Sequence, residues 1–181
     1  AKIEADAAMQ LGDERHAVVV PAMSNLHSHA FQRGMAGLAE ARGPSTDDFW
    51  SWRETMYRFA SRMTPDQLQA VAAQAYVEML EAGYCRVGEF HYLHHDADAR
   101  PFADPAEMAG RIAAAAGETG ISLTLLPVFY AHASFGGRPP NAIQRRFVHG
   151  LDDYQRLIER CKELLSHQSG SVLGVAPHSL R

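Results

Sequence analysis

Between Val18 and Pro177, short apolar β-branched runs alternate with longer amphipathic stretches, and this alternation constrains the fold more than any other feature of the chain. Val18–Val20 is a β-branched run leading through Pro21 to Leu26-His27-Ser28-His29. Asp47–Ala60 has the spacing of a helix carrying Phe49, Trp50, Met56 and Phe59. Thr64-Pro65-Asp66 is a helix start: a capping hydroxyl, a proline in the first turn, and an acid at the positive end of the helix dipole. That helix is predicted to run to Glu81 and to stop at Gly83 in a left-handed cap. Cys85–Leu93 is a predicted strand, and Asp104-Pro105-Ala106-Glu107 opens a helix that ends at Gly117 or Gly120. Ser122–Tyr130 is a strongly apolar strand, followed by a Gly-, Pro- and Asn-rich loop over Ala131–Gly150. Leu151–Leu165 places Leu151, Tyr154, Leu157, Ile158, Cys161, Leu164 and Leu165 at helical spacing, a stripe that packs into a core. Ser171–Pro177 is the last predicted strand.

The order β-α-β-α-β-α-β gives an α/β fold with a parallel sheet and crossover helices. Two architectures fit: an open doubly wound sheet, or the first half of an eight-stranded barrel. No glycine-rich phosphate fingerprint follows any strand, which argues against a nucleotide-binding open sheet. With 46% apolar residues the chain can build a core, and its net charge of −4 and pI near 6.2 give no reason to expect nucleic acid or an anionic membrane. No apolar run approaches the ~20 residues of a membrane span. Ala1–Gln10 lacks the basic-then-apolar pattern of a signal segment. Cys85 and Cys161 are too few for a disulfide framework, and a reducing cytoplasm is the expected compartment.

Histidine is in surplus, ten in 181 residues, more than double the ~2% of average composition. His27 and His29 stand two apart at the end of an apolar run, and side chains two apart on a strand point the same way. Such a pair presents two imidazoles to one point, as zinc requires. A bare His-x-His also occurs in ordinary loops, so the context decides.

That context, PAMSNLHSHAFQRGMAGLA from Pro21 to Ala39, resembles the first-strand metal motif of the amidohydrolase superfamily. Within it, His-Ser-His-Ala-Phe-Gln-Arg is similar to the formimidoylglutamate deiminase family. Phe49-Trp50-Ser51-Trp52-Arg53, Gly88–His95 and Ala176–Arg181 match the same family, with Ala22 a departure where glycine is usual. The resemblance implies a (β/α)8 barrel beside a small β-sandwich. Residues 1–20 would then end an N-terminal β-sandwich segment, and residues 21–181 would form the first four βα units. It implies that His27 and His29 bind one zinc ion, and that hydroxide formed there attacks the formimino carbon of N-formimino-L-glutamate. Ammonia would leave, and N-formyl-L-glutamate would remain. Arg53 and Arg181 would meet the two carboxylates of the substrate, with Gln32, Tyr92 and His178 as polar companions. The family's catalytic acid–base residues and remaining metal ligands would lie on strands beyond Arg181, so four strands alone would leave two bare edges and an inactive piece. A homodimer is expected, since related barrels usually dimerise.

Taken without the family match, each position has a plainer reading. Arg53 is then a solvated helix charge and Arg181 a chain end. Tyr92 is a strand residue with its hydroxyl at the surface, His178 a strand cap and Gln32 a polar helix-start residue. His91, His94 and His95 could form a second metal cluster. Strand alternation sets His91 opposite to Tyr92, however, which favours a structural role. Glu89 shares the face of His91 and needs a buried partner or water. His16, His132, His149 and His167 are expected to be exposed, and Cys85 buried. Two other functions compete: a deaminase or chlorohydrolase of the same superfamily acting on a heterocyclic ring, and a non-catalytic α/β module that binds a dicarboxylate.

Overall fold

The computed structural model describes residues 3–38 and 48–180. Strand β1 (Met23–Ser28) leads into a 3-10 turn, Ala30–Met35. Helices α1 (Phe49–Ala60) and α2 (Pro65–Glu81) precede β2 (Tyr84–His91). Helix α3 (Glu107–Thr119) precedes β3 (Ser122–Phe129), and α4 (Leu151–Leu165) precedes β4 (Val172–Leu173) and β5 (Ala176–Pro177). The predicted start of α1 at Asp47 falls outside the described residues.

The helix ends form for the reasons the sequence gives. The Thr64 hydroxyl accepts the Gln67 amide proton (3.2 Å), and the Gln67 side-chain oxygen accepts that of Thr64 (3.1 Å). This reciprocal capping box satisfies two amides that a helix start leaves open. Helix α3 ends at Gly120, whose φ of 81° a residue with a Cβ rarely adopts.

The strands lie in the order β1-β2-β3-β4, all parallel, so each new strand adds on the same side. An open doubly wound sheet reverses direction at a switch point; this one does not, and its βα units progress as in a (β/α)8 barrel. The predicted strand Ser171–Pro177 is broken in two, because β4 and β5 both pair with β3. At the break, Gly174 donates its N–H to the Leu125 carbonyl (2.9 Å), and a Cβ there would lie 2.6 Å from Leu126 Cδ2. Gly88 has a comparable role on β2: a Cβ would lie 2.9 Å from the Leu26 carbonyl oxygen, so glycine lets β1 come close.

The core fills the space between sheet and helices. Val87, Leu123, Leu125 and Val128 from the strands cluster with Leu68, Ala72 and Tyr76 of α2, Ile112 and Ala116 of α3, and Leu157 and Cys161 of α4. The loop after β3 holds a 3-10 turn, Gln144–Arg146, that ties this layer to the other loops. Arg146 is 1% exposed. Its guanidinium donates to the carbonyls of His95 (2.8 and 3.0 Å), Met63 (3.0 Å) and Ala60. Its own carbonyl accepts the N–H groups of His94 and His95 (3.0 Å each). Burial lowers its pKa to about 10, which still leaves it charged at neutral pH.

Four expectations are corrected. Val18–Val20 forms no strand and stays exposed; the first strand begins at Met23, where pairing with Tyr84 of β2 begins. Cys85 is exposed, because it lies one residue before the β2–β3 pairing starts at Arg86. Leu151 opens α4 as an exposed residue outside the buried stripe. His149 is buried, with its N–H on the Tyr130 carbonyl (3.1 Å) at the end of β3. Among the described residues, no helix is long and apolar enough to cross a membrane.

Candidate active site at the carboxyl ends of the strands

His27 lies one residue before the end of β1 and His29 one residue past it. Alternation along the strand turns both rings the same way, and their Nε2 atoms approach to 3.0 Å. His29 Nδ1 sits 2.9 Å from the Phe90 carbonyl oxygen, which can only accept, so the ring proton is on Nδ1 and the lone pair on Nε2. Metal-binding histidines are typically oriented in this way. Burial lowers the His29 pKa, the Phe90 carbonyl opposes this, and His27 lowers it further, so the ring is neutral at physiological pH. With Zn–N bonds of about 2.0–2.1 Å, two nitrogens stand ~2.9 Å apart at a right angle and ~3.3 Å apart at the tetrahedral angle. The observed 3.0 Å falls in that interval, so the pair fits two positions of a zinc shell. Among the described residues no third histidine, cysteine or carboxylate joins them.

Tyr92 follows the end of β2 and stands edge-on to His29, ring centroids 5.2 Å apart. It is buried, and its hydroxyl oxygen accepts a proton from Gln32 Nε2 (3.1 Å). The plainer reading of a surface hydroxyl is therefore excluded. Burial raises the Tyr92 pKa far above the usual phenol range, with the Gln32 bond opposing. Gln32 itself is placed by the 3-10 turn after His29. His178 follows β5, fixed by its N–H on the Phe129 carbonyl (2.9 Å), and its ring packs 4.2 Å from that of Tyr130.

Arg53 projects from α1 and donates from Nε to the Tyr57 hydroxyl oxygen (2.8 Å), with Nη2 on the same atom. Gln144, itself buried, donates from Nε2 to the hydroxyls of Tyr57 (3.3 Å) and Tyr130 (3.1 Å). A chain of contacts thus runs from Arg53 through Tyr57, Gln144 and Tyr130 to His178, and the His178 ring reaches Phe90 beside the histidine pair. The structure brings His27, His29, Gln32, Arg53, Tyr92 and His178 to one rim. Arg181 lies outside the described residues. Sequence reasoning missed Tyr57, Tyr130 and Gln144. The four-residue spacing of Arg53 and Tyr57 on a helix was the available signal for the first; Gln144 sits in an irregular loop with no periodicity to reveal it.

On the other side of β2, Glu89 and His91 are each 1% exposed. Glu89 Oε1 accepts the Ala30 N–H (2.7 Å), which supplies the partner the sequence left open and anchors the backbone just after His29. Burial raises its pKa to about 7, against the Ala30 amide and the nearby Ser28 and Tyr76 hydroxyls; the Tyr76 hydroxyl lies outside hydrogen-bonding geometry. His91, His94, His95 and His149 pack ring against ring, with centroids 5.4, 4.4 and 4.8 Å apart. His94 and His95 bond to the Val128 and Val148 carbonyls (3.1 and 2.9 Å). Burial lowers His91 to about 3, His149 to about 4 and His94 well below its usual value, so these three rings are neutral. Among the described residues they form no group of three that could hold a metal ion.

Fold and site together define a (β/α)-barrel scaffold with its polar side chains gathered where barrel enzymes carry their active sites. The amidohydrolase family model matches residues 18–180, and the chain belongs to the amidohydrolase family. It is 54% identical to the formimidoylglutamate deiminase of Pseudomonas aeruginosa, over 98% of this chain and 38% of that protein. A crystal structure of an amidohydrolase from Brucella melitensis superposes with a TM-score of 0.93 at 62% identity, over 98% of this chain and 40% of that one. An atrazine chlorohydrolase from Arthrobacter aurescens TC1, complexed with zinc, shares the fold with a TM-score of 0.63 at 19% identity, over 87% of this chain and 34% of that one. The chain therefore spans about two fifths of the length of its two nearer relatives.

Proposed function

We propose that the full-length protein hydrolyses N-formimino-L-glutamate to N-formyl-L-glutamate and ammonia, with one zinc ion held in part by His27 and His29. The observation that carries this reading is the 3.0 Å convergence of the two Nε2 atoms on the rim that also holds Arg53, Gln32 and Tyr92. The similarity to a formimidoylglutamate deiminase over 98% of the chain supports the choice of substrate.

A zinc ion bound there would act as a Lewis acid and make hydroxide available near neutral pH. The residues of this chain orient the metal ligands and bind the substrate. The Phe90 carbonyl keeps the His29 proton on Nδ1, so its Nε2 lone pair is always presented. Arg53 offers a planar fork suited to a carboxylate, and the Gln32–Tyr92 pair presents an amide and a phenol next to His29. His178, and Arg181 by its family match, complete the polar set around the substrate. Overall, one water adds to the formimino carbon, its bond to the terminal nitrogen breaks, and ammonia leaves.

The test is ammonia release from N-formimino-L-glutamate by the full-length zinc-loaded protein. Release that Arg53→Met cripples is expected. No release, or turnover of a neutral ring such as guanine that survives Arg53→Met, would overturn the assignment.

A further inference from the structure

We propose that Tyr57 is a further substrate-binding residue, which donates its phenolic proton to the same substrate carboxylate that Arg53 binds. The inference rests on the dicarboxylate reading above and deepens it. It follows from accounting for every hydrogen bond around one oxygen atom.

A phenol has one proton to donate and accepts through its oxygen lone pairs. Around the Tyr57 oxygen, Arg53 donates from Nε and Nη2, and Gln144 donates from Nε2. The acceptor capacity of the oxygen is thereby filled by N–H groups, none of which can take a proton. No other described residue accepts the Tyr57 proton. The orientation of Gln144 is not open to reversal, because its Oε1 accepts the Asn141 N–H (3.0 Å) and so leaves Nε2 facing the two phenols. Asn141 Oδ1 accepts the Gln144 N–H in return (2.9 Å), which locks the turn.

The proton therefore awaits an acceptor, beside a guanidinium that attracts anions. Tyr57 packs against Phe147, which in turn packs edge-on against Tyr92 (6.0 and 5.2 Å between centroids), so the phenol stands on the rim already described. A carboxylate placed on Arg53 would accept the O–H as a charge-assisted bond. Gln144 is the positioning residue in this arrangement: it holds the phenol with its oxygen inward and its proton outward.

The experiment measures KM and kcat for N-formimino-L-glutamate with the full-length zinc-loaded protein. Tyr57→Phe keeps the ring and removes only the hydroxyl. It should raise KM about tenfold, the usual weight of a hydrogen bond to a charged group, with the loss falling in KM rather than kcat. The same change made on an Arg53→Lys background, which keeps a cation for the carboxylate but loses the guanidinium fork on the Tyr57 oxygen, separates direct donation from mere aiming of Arg53. A KM rise that persists there supports donation, and a rise that vanishes overturns it. If Tyr57→Phe is not recovered folded, Gln144→Glu serves instead: a carboxylate there captures the phenolic proton and should raise KM likewise. Wild-type turnover with KM unchanged in either variant would sink the inference alone. Wild-type protein without turnover would remove the substrate reading and this inference with it.

Discussion

Replacing Arg146 by Met removes the guanidinium that joins three separate segments while keeping much of the side-chain volume. Three carbonyls, those of buried Ala60 and Met63 and of half-buried His95, lose a charged donor, and the Ala60 carbonyl keeps only the Met63 N–H at 3.4 Å. At about 2 kcal/mol for each carbonyl that loses its hydrogen bond from a charged group, the gross loss is about 6 kcal/mol. Against this stands relief of the buried charge. Burial depresses the pKa of Arg146 from the usual guanidinium range to about 10, a shift equivalent to about 3 kcal/mol, or about 2 kcal/mol once discounted for solvent screening. The loss wins, and Arg146→Met should destabilise the protein by about 4 kcal/mol. Urea unfolding of wild type and variant, followed by tryptophan fluorescence, measures the difference. Arg146 is charged throughout pH 6–8, so the difference should not vary across that range. A change below about 1 kcal/mol would refute the view that this side chain, rather than apolar packing alone, fastens the loop to the helices.

Two other perturbations test the packing around the site. Burial holds His91, His94 and His149 below their ordinary pKa, so their contribution to stability is complete above pH 6.5 and is lost on acidification, for His149 towards about 4 and for His91 towards about 3. The slope is up to about 1.4 kcal/mol per pH unit for each ring. Glu89 acts in the opposite sense: its folded pKa of about 7 lies above the usual 4.5, so it weakens the fold as pH rises between those values, and Glu89→Gln should steepen the acid loss. Melting temperatures of the metal-free protein from pH 8 to 5 check both, and a flat profile in wild type would contradict them. Gly88→Ala drives a Cβ to 2.9 Å from the Leu26 carbonyl. It should push β1 outward, cost about 1–3 kcal/mol as overpacking does, and weaken zinc affinity through His27 and His29; unchanged affinity in a zinc titration would contradict the coupling.

Regular elements were legible wherever local chemistry dictates them. The Thr64 box, the αL glycine at 120 and the apolar stripe of α4 reappear within a residue or two of their expected bounds. The His27–His29 pair was legible because alternation on a strand fixes relative direction without any knowledge of partners. The barrel was legible through the family motifs and not through local pattern, because alternating strands and helices alone fit both a barrel and an open sheet until pairing is seen. Tertiary context also defeated the exposure expected for His149 and the burial expected for Cys85. The first is decided by a carbonyl at the end of a distant strand, the second by where pairing with β3 happens to begin. Val18–Val20 has the propensity of a strand but pairs with none among the described residues. The Arg53–Tyr57–Gln144 network unites a helix with an irregular loop 87 residues away from Tyr57, beyond the reach of any local pattern.

The paired imidazoles are best examined by anomalous scattering at the zinc edge from crystals of the full-length protein. A single peak about 2.0–2.1 Å from Nε2 of both His27 and His29 is expected, and it should vanish in the His27→Ala, His29→Ala double variant. A peak remote from those two atoms, or one that survives the double substitution, would contradict the assignment.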